Sequence, residues 1–367
     1  MKINNKEYEK IMRNRPHVVI LGAGASMATI DKGDKNGQPI SCMNNFLNNL
    51  GIKNILDGIK IETKSDNLED IYSELDEKSK TNEDYQKKKQ ELENAIFDYF
   101  DKFEIPDTPT IYDYLLLGLR ENDLIASFNW DPLLIQAGNR LIKKGIIAFD
   151  KLPKVVFLHG NVGVCYDAKL NRIYMFSHYD SNYKKSQLLY PIKNKDYTSN
   201  IIISESWKML QNYLKSAYIL TIYGYGAPKS DVSAIKLLKD AWGSNSNRQL
   251  EEIEIIDIAD ENNLTERWNR FIFDNHYRCK KSFYESMIFQ CPRRTCNYLF
   301  DVTMLSLFGN TEIGFKKEMS FSEIKEKIKP LILDELENKD TLIDPYIACI
   351  NLNDKRLPDY WKDFNKE

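Results

Sequence analysis

Short runs of β-branched and aliphatic residues, each closed by a polar or glycine-rich tip, recur along this chain. His17-Val18-Val19-Ile20-Leu21 is the first, and it opens directly into Gly22-Ala23-Gly24-Ala25-Ser26. Asp123–Phe128 ends in Asn129-Trp130-Asp131-Pro132, Lys154–Leu158 in His159-Gly160, Tyr218–Tyr223 in Gly224-Tyr225-Gly226, and Glu252–Ile258 in Ala259-Asp260. Runs that are apolar on consecutive positions suit parallel strands buried on both faces. Helical spacing fills the intervals. Asn67–Leu75 repeats in this way, and Glu83–Phe103 carries a stripe of Leu92, Ala95, Ile96, Tyr99, Phe100 and Phe103. Pro106 and Pro109 interrupt the pattern before Thr110–Leu119 resumes it. Residues 163–206 are irregular, with one strand expected at Arg172–Phe176, and helices are expected at Leu264–Asn275, Ser282–Phe289 and Phe321–Asn338.

The expected fold is therefore α/β, a Rossmann-like parallel sheet with a helical insertion over about 44–120 and a helical C-terminal extension. Residues 1–262 form the sheet domain in this reading, with an irregular lid at 163–206, and 263–367 form the mainly helical extension.

A strand, glycine turn and helix start at 17–26 is the arrangement that holds a nucleotide phosphate on backbone N–H groups and a helix dipole. Gly22 and Gly24 are expected to take positive φ and let the backbone approach the ligand. The full dinucleotide fingerprint has a third glycine where this chain has Met27, so a plain strand-to-helix turn remains the alternative. The turn-rich Ala28–Pro39 reads as a flap over a ligand or as a surface loop. Ligands bind at the carboxyl ends of strands in an open parallel sheet, so the tips are expected to share one pocket.

Composition narrows the class without changing this outline. The 367 residues are 42% hydrophobic and 29% charged, an ordinary globular balance, and the net charge of −3 gives no reason to expect nucleic acid as a partner. No secretory leader and no membrane-length apolar run is read, so the expected location is cytoplasmic. Cys42, Cys165, Cys279, Cys291, Cys296 and Cys349 contain no C-x-x-C pair. A metal site from Cys279, Cys291, Cys296 and His276 is weighed against free thiols, and no metal is expected. Lys184, Lys185, Lys193 and Lys195 line an anion site or a solvated loop, and Leu357–Phe364 is a docking tail for another subunit or packs back on its own domain.

The ordered set Gly22-Ala23-Gly24-Ala25-Ser26, Ser127-Phe128-Asn129-Trp130-Asp131, His159-Gly160 and Gly224-x-Gly226 through Ser230-Asp231 resembles the sirtuin-like family over roughly Pro16 to Asp260. That resemblance implies an NAD-binding α/β fold in which the motif asparagine and histidine sit beside the nicotinamide ribose. Protein-deacylating sirtuins usually carry a four-cysteine zinc ribbon, absent here, and glutamine where this chain has Phe128. The chain looks more like the prokaryotic branch that hydrolyses NAD outright, often in anti-phage defence. There a helical extension, self-assembly or a partner such as a helicase-like ATPase commonly controls activity.

The residues support that chemistry independently. Cleaving the nicotinamide N-glycosidic bond releases a neutral leaving group through an oxocarbenium-like transition state, which calls for positioned water and stabilised positive charge. His159 is suited to accept a proton near neutral pH, Asn129 to hold a ribose hydroxyl or the water, and Asp131 to orient the loop or favour the cation. Gly22, Ala23, Gly24 and Ser26 are expected at the diphosphate. Gly224, Gly226, Ser230 and Asp231 complete the pocket, with Asp231 and Asp257 or Asp260 at the adenosine end. Each has a plainer role open to it, since Asn-x-Asp-Pro and Ser230-Asp231 also suit helix caps and Asp257 a strand end. The expected function is an NAD+ hydrolase yielding nicotinamide and ADP-ribose. The alternatives are an NAD-dependent protein deacylase or ADP-ribosyltransferase, and a non-catalytic NAD- or ADP-ribose-sensing subunit.

Overall fold

The computed structural model describes residues 5–40, 46–47, 50–64, 67–167, 169–170, 172–176, 178, 183–190, 197, 200–227, 231–243, 248, 250–272, 276–307 and 313–337. The tail Leu357–Phe364, Cys42, Cys349, Lys193, Lys195 and Ser230 lie outside them.

In chain order the elements are α1 (Asn5–Asn14), β1 (His17–Leu21), α2 (Ala23–Thr29), α3 (Ile52–Ile55), α4 (Leu68–Ser79), α5 (Glu83–Asp101), α6 (Ile111–Gly118), β2 (Leu124–Ser127), α7 (Leu133–Lys143) and β3 (Lys154–Phe157). There follow β4 (Val164–Asp167), β5 (Arg172–Met175), β6 (Lys184–Lys185), α8 (Ile201–Ser216), β7 (Ile219–Tyr223), α9 (Val232–Trp242) and β8 (Glu252–Ile256). The last are α10 (Glu261–Ile272), β9 (His276–Lys280), α11 (Met287–Gln290), α12 (Thr295–Met304) and α13 (Phe321–Glu337).

Six parallel strands form one sheet in the order β3-β2-β1-β7-β8-β9, and β5-β4-β6 form a small antiparallel sheet. The large sheet has the doubly wound order, and it reverses between β1 and β7, the point where such folds open a crevice. Val18, Val19, Ile20 and Leu21 have no exposed surface, and burying each contributes roughly 1.5–3 kcal/mol. Alternate positions serve opposite faces. Val19, Leu21 and Ile125 meet α6 and α7, while Val18, Ile20, Leu124 and Ala126 meet α8 and α9.

The insertion has its own small core. Asn67 and Asn82 cap α4 and α5 by accepting from the backbone N–H of Glu69 and Asp84 at 2.9 Å. Leu68, Ile71, Leu75, Leu92, Ile96 and Phe97 pack together, joined by Trp130 and Val162 from the sheet tips. The last helix of the expected insertion, α6, belongs to the sheet layer instead. Every residue of it is buried, and Thr110 and Asp113 form a reciprocal capping box.

Two features here differ from the sequence reading, and a third fills in its detail. β9 adds a sixth strand beyond residue 262, where a mainly helical extension with no strand singled out was expected. Its sequence HYRCK is polar because an edge strand with one partner needs no continuous apolar run. The helix expected over Ser282–Phe289 breaks at Ser286, which caps α11 by accepting from Phe289 N–H at 3.2 Å. Within the stretch read as a flap, Lys35 N–H donates to Glu104 O at 2.9 Å, and Asp34 accepts from Asn36, Gln38 and Glu104 N–H.

Candidate functional site

Glycine turns meet at the reversal point of the sheet. Gly24 N–H donates to Gly224 O at 2.9 Å, and Gly22 N–H to Tyr223 O at 3.0 Å. Neither Gly22, at φ −120°, nor Gly24 takes positive φ, contrary to expectation; they are glycines for lack of space. A Cβ on Gly22 would lie 2.5 Å from Tyr225 Cα, and one on Gly24 2.9 Å from Gly224 Cα. Among the glycines of these strand tips, the left-handed ones are Gly224, at φ +62°, and Gly160, at φ +77°. The amides of Gly22 and Gly24 join the two turns, and the exposed residues of these turns are Ala23 and Gly226.

Asn129 leaves the end of β2 toward this turn. Its Nδ2 donates to Gly22 O at 2.9 Å and to Ser26 Oγ at 2.9 Å, and lies 3.3 Å from the Tyr112 hydroxyl. Ser26 is fully buried and donates to Asp131 Oδ2 at 2.6 Å, so its hydroxyl faces inward and not to the surface where diphosphate was expected. Both N–H groups of the Asn129 amide are committed, and among the described residues no donor reaches its Oδ1. Asp131 also accepts from Leu133 N–H at 3.2 Å, at the start of α7.

His159 follows β3. Its backbone carbonyl accepts from Trp130 Nε1 at 3.2 Å and from Leu189 N–H at 2.8 Å, which ties its loop to the Asn129 loop and to the segment after β6. The imidazole is 7% exposed, edge-on to Phe128 with centroids 4.8 Å apart and facing Tyr197 at 6.0 Å. Phe128 in turn stacks on Tyr225 at 4.3 Å, so rings from the tips of β2, β3 and β7 form one run.

Asn161 was not singled out from the sequence, yet it joins the tips most directly. Fully buried, it donates from Nδ2 to Asn129 O at 3.2 Å and to Asp131 O at 2.6 Å. Tyr112 was missed for a different reason, because an aromatic within an apolar helix reads as core. The other expected residues are more dispersed. Asp231 is buried and accepts from the Tyr225 hydroxyl at 2.8 Å, with Tyr197 in its field. Asp257 accepts from Ala259 N–H at 2.9 Å within its own loop, and the exposed Asp260 caps α10 by accepting from Asn263 N–H at 2.9 Å. Among the described residues no group of three or more His, Cys, Asp or Glu is placed to hold a metal ion.

Burial pushes the Asp131 carboxyl up to about 6, against the hydrogen bond from Ser26, which lowers it. The folded state therefore binds that proton more tightly than the unfolded chain, and this group's contribution to stability falls as pH rises from about 4 to about 6. Asp131→Asn removes the dependence. Denaturant unfolding at pH 4 and pH 7 should show the variant gaining on the wild type by about 2 kcal/mol across that interval. Hydrogen-bond losses common to both pH values cancel in the difference; equal shifts at both would refute a buried, titrating Asp131.

No family model matches the sequence, and no curated protein matches it. Among solved structures the chain is similar to one from work on the mechanism and regulation of Sir2 enzymes, at 13% identity and TM-score 0.37, covering 89% of this chain and 97% of that one. A Sir2 homologue in complex with NAD matches at 13% identity and TM-score 0.36, covering 81% of this chain and 95% of that one. A Sir2 protein with an inhibitor, 2′-O-acetyl-ADP-ribose and a deacetylated peptide matches at 14% identity and TM-score 0.34, covering 82% and 98%. Likeness at this level carries nothing about activity, which the chain's own residues must argue.

Proposed function

We propose that the protein hydrolyses NAD+ at the nicotinamide N-glycosidic bond, giving nicotinamide and ADP-ribose. One observation carries the reading: side-chain hydrogen bonds join the Gly22–Ser26 turn to the Asn129–Asp131 loop and that loop to the His159 loop, along the carboxyl ends of β1, β2 and β3 beside the reversal point of the sheet. The dinucleotide lies across Ala23 and Gly226, with its nicotinamide ribose toward Asn129 and His159. Asn129 Oδ1 accepts from a ribose hydroxyl or from the attacking water, because its amide nitrogen is held by Gly22 and Ser26. His159 takes the proton as water adds to the anomeric carbon, and nicotinamide leaves with the bonding electron pair. Asp131, behind Ser26, supplies negative charge while the sugar becomes cationic.

Depletion of NAD in anti-phage defence, self-assembly, and control by a partner such as a helicase-like ATPase are the biological setting this reading carries with it. The decisive assay incubates the pure protein with NAD alone and follows nicotinamide. Release without any acyl peptide is the expected result. Release only with an acylated peptide would make the protein a deacylase, and ADP-ribose binding without release would make it a sensing subunit.

A further inference from the structure

Tyr112 belongs to α6, in the apolar segment that closes the first crossover, far from every motif in the sequence. Its ring is 1% exposed and packs in the layer with Leu115, Ile125 and Leu133. A buried tyrosine in such a layer ordinarily gives its hydroxyl proton to a nearby backbone carbonyl. This one turns to the candidate site. Its oxygen is 2.7 Å from Ser26 Oγ and 3.3 Å from Asn129 Nδ2, and no other hydrogen-bond partner reaches it among the described residues.

Proton accounting orients the cluster. Ser26 has one proton, and it goes to Asp131 Oδ2 at 2.6 Å. The short contact between Ser26 and Tyr112 then requires the phenol to be the donor. Ser26 Oγ accepts that proton on one lone pair and an Asn129 N–H on the other, so its hydrogen-bonding capacity is full. The phenol itself is held still. Arg140 donates from Nε to Asp113 Oδ1 at 2.7 Å and from Nη2 to Thr110 Oγ1 at 3.2 Å, and Asp113 with Thr110 caps the helix that carries Tyr112.

We propose that Tyr112 is a positioning residue of this site: its phenolic proton sets the direction Tyr112 to Ser26 to Asp131, which holds the Asn129 amide with its carbonyl oxygen presented to the nucleotide sugar. That the sugar belongs to NAD rests on the function proposed above; the direction of the chain does not. Without the phenolic proton, Ser26 is a poorer donor to the Asp131 carboxylate, because a hydroxyl that accepts a hydrogen bond donates more strongly. The carboxylate is then less stabilised and titrates higher. Asn129 Nδ2 loses its 3.3 Å neighbour and keeps Gly22 O and a Ser26 Oγ whose orientation the phenol no longer sets.

Tyr112→Phe keeps the ring and removes one oxygen. In protein labelled with carbon-13 at the aspartate carboxyls, the Asp131 signal is identified by its absence from Asp131→Asn. Its titration midpoint should rise by about half a pH unit in Tyr112→Phe. In the Ser26→Ala background the same substitution should move it no further, because the relay is already cut. Nicotinamide release should lose about tenfold in kcat, a factor worth 1.4 kcal/mol, with KM for NAD within about twofold. An unchanged midpoint and rate, or a Tyr112→Phe effect that persists in full without Ser26, would overturn the proposal. A wild type that releases no nicotinamide would remove the NAD reading, while the carboxyl titration would still decide the role of Tyr112.

Discussion

On the proposed function, His159→Ala should lower nicotinamide release from NAD by about a thousandfold, within the 10²–10⁴ that a positioned general base contributes. Water is a poor nucleophile toward an oxocarbenium-like centre unless its proton has somewhere to go, and in the proposed mechanism the His159 imidazole takes it. The fold should survive. The imidazole packs edge-on to Phe128 and facing Tyr197, and its loop is held at the His159 carbonyl by the Trp130 indole N–H and the Leu189 backbone N–H, which alanine retains. Circular dichroism and ADP-ribose binding should therefore stay close to wild type while turnover collapses. Asn129→Ala should cost turnover about a hundredfold and weaken nucleotide binding too, since it removes both the sugar contact and the bonds to Gly22 and Ser26. Near-wild-type rates in both variants would defeat these roles.

Gly224→Ala is the largest stability effect expected from a single methyl group. The new Cβ would sit 2.2 Å from Ala25 N and 2.5 Å from Gly24 C, at a residue with φ +62°. Both obstacles are backbone, so no side chain can turn away to make room. The strained dihedral alone costs about 1–2 kcal/mol, and separating the two turns also breaks the bond from Gly24 N–H to Gly224 O. A total of about 4 kcal/mol is expected from denaturant unfolding, at the severe end for point substitutions. Gly226→Ala is the control, because its Cβ would meet nothing nearer than Arg267 Nη1 at 3.8 Å and should change stability by less than about 0.5 kcal/mol. Equal effects at the two glycines would contradict the interlocked turns.

The strand tips were legible because each pairs a buried apolar run with residues that suit neither strand nor core. Gly22, Asn129, His159 and Gly224 all stand at such junctions, and four adjacent parallel strands gather them at one sheet edge. Ser26 belongs to the glycine turn, but its hydroxyl meets other surroundings than its sequence context suggests. A serine after a glycine loop looks outward in the sequence, whereas here it points back to Asp131. Tyr112 and Asn161 gave no signal, since Tyr112 meets Ser26 and Asn129 from 86 and 17 residues away and Asn161 meets the Asn129–Asp131 loop from 30 to 32. β9 was missed because an edge strand can be polar throughout.

Local residue order alone determined the buried parallel strands, their glycine and polar ends, and the helical character of the insertion, because hydrophobic period and turn chemistry act over a few neighbours. Tertiary structure decided which glycines are left-handed and which are merely crowded, the direction of the hydroxyl chain through Ser26, and the sixth strand. Those depend on atoms brought together from distant parts of the chain, and no local pattern encodes which distant backbone will lie 2.2 Å from an added methyl at Gly224.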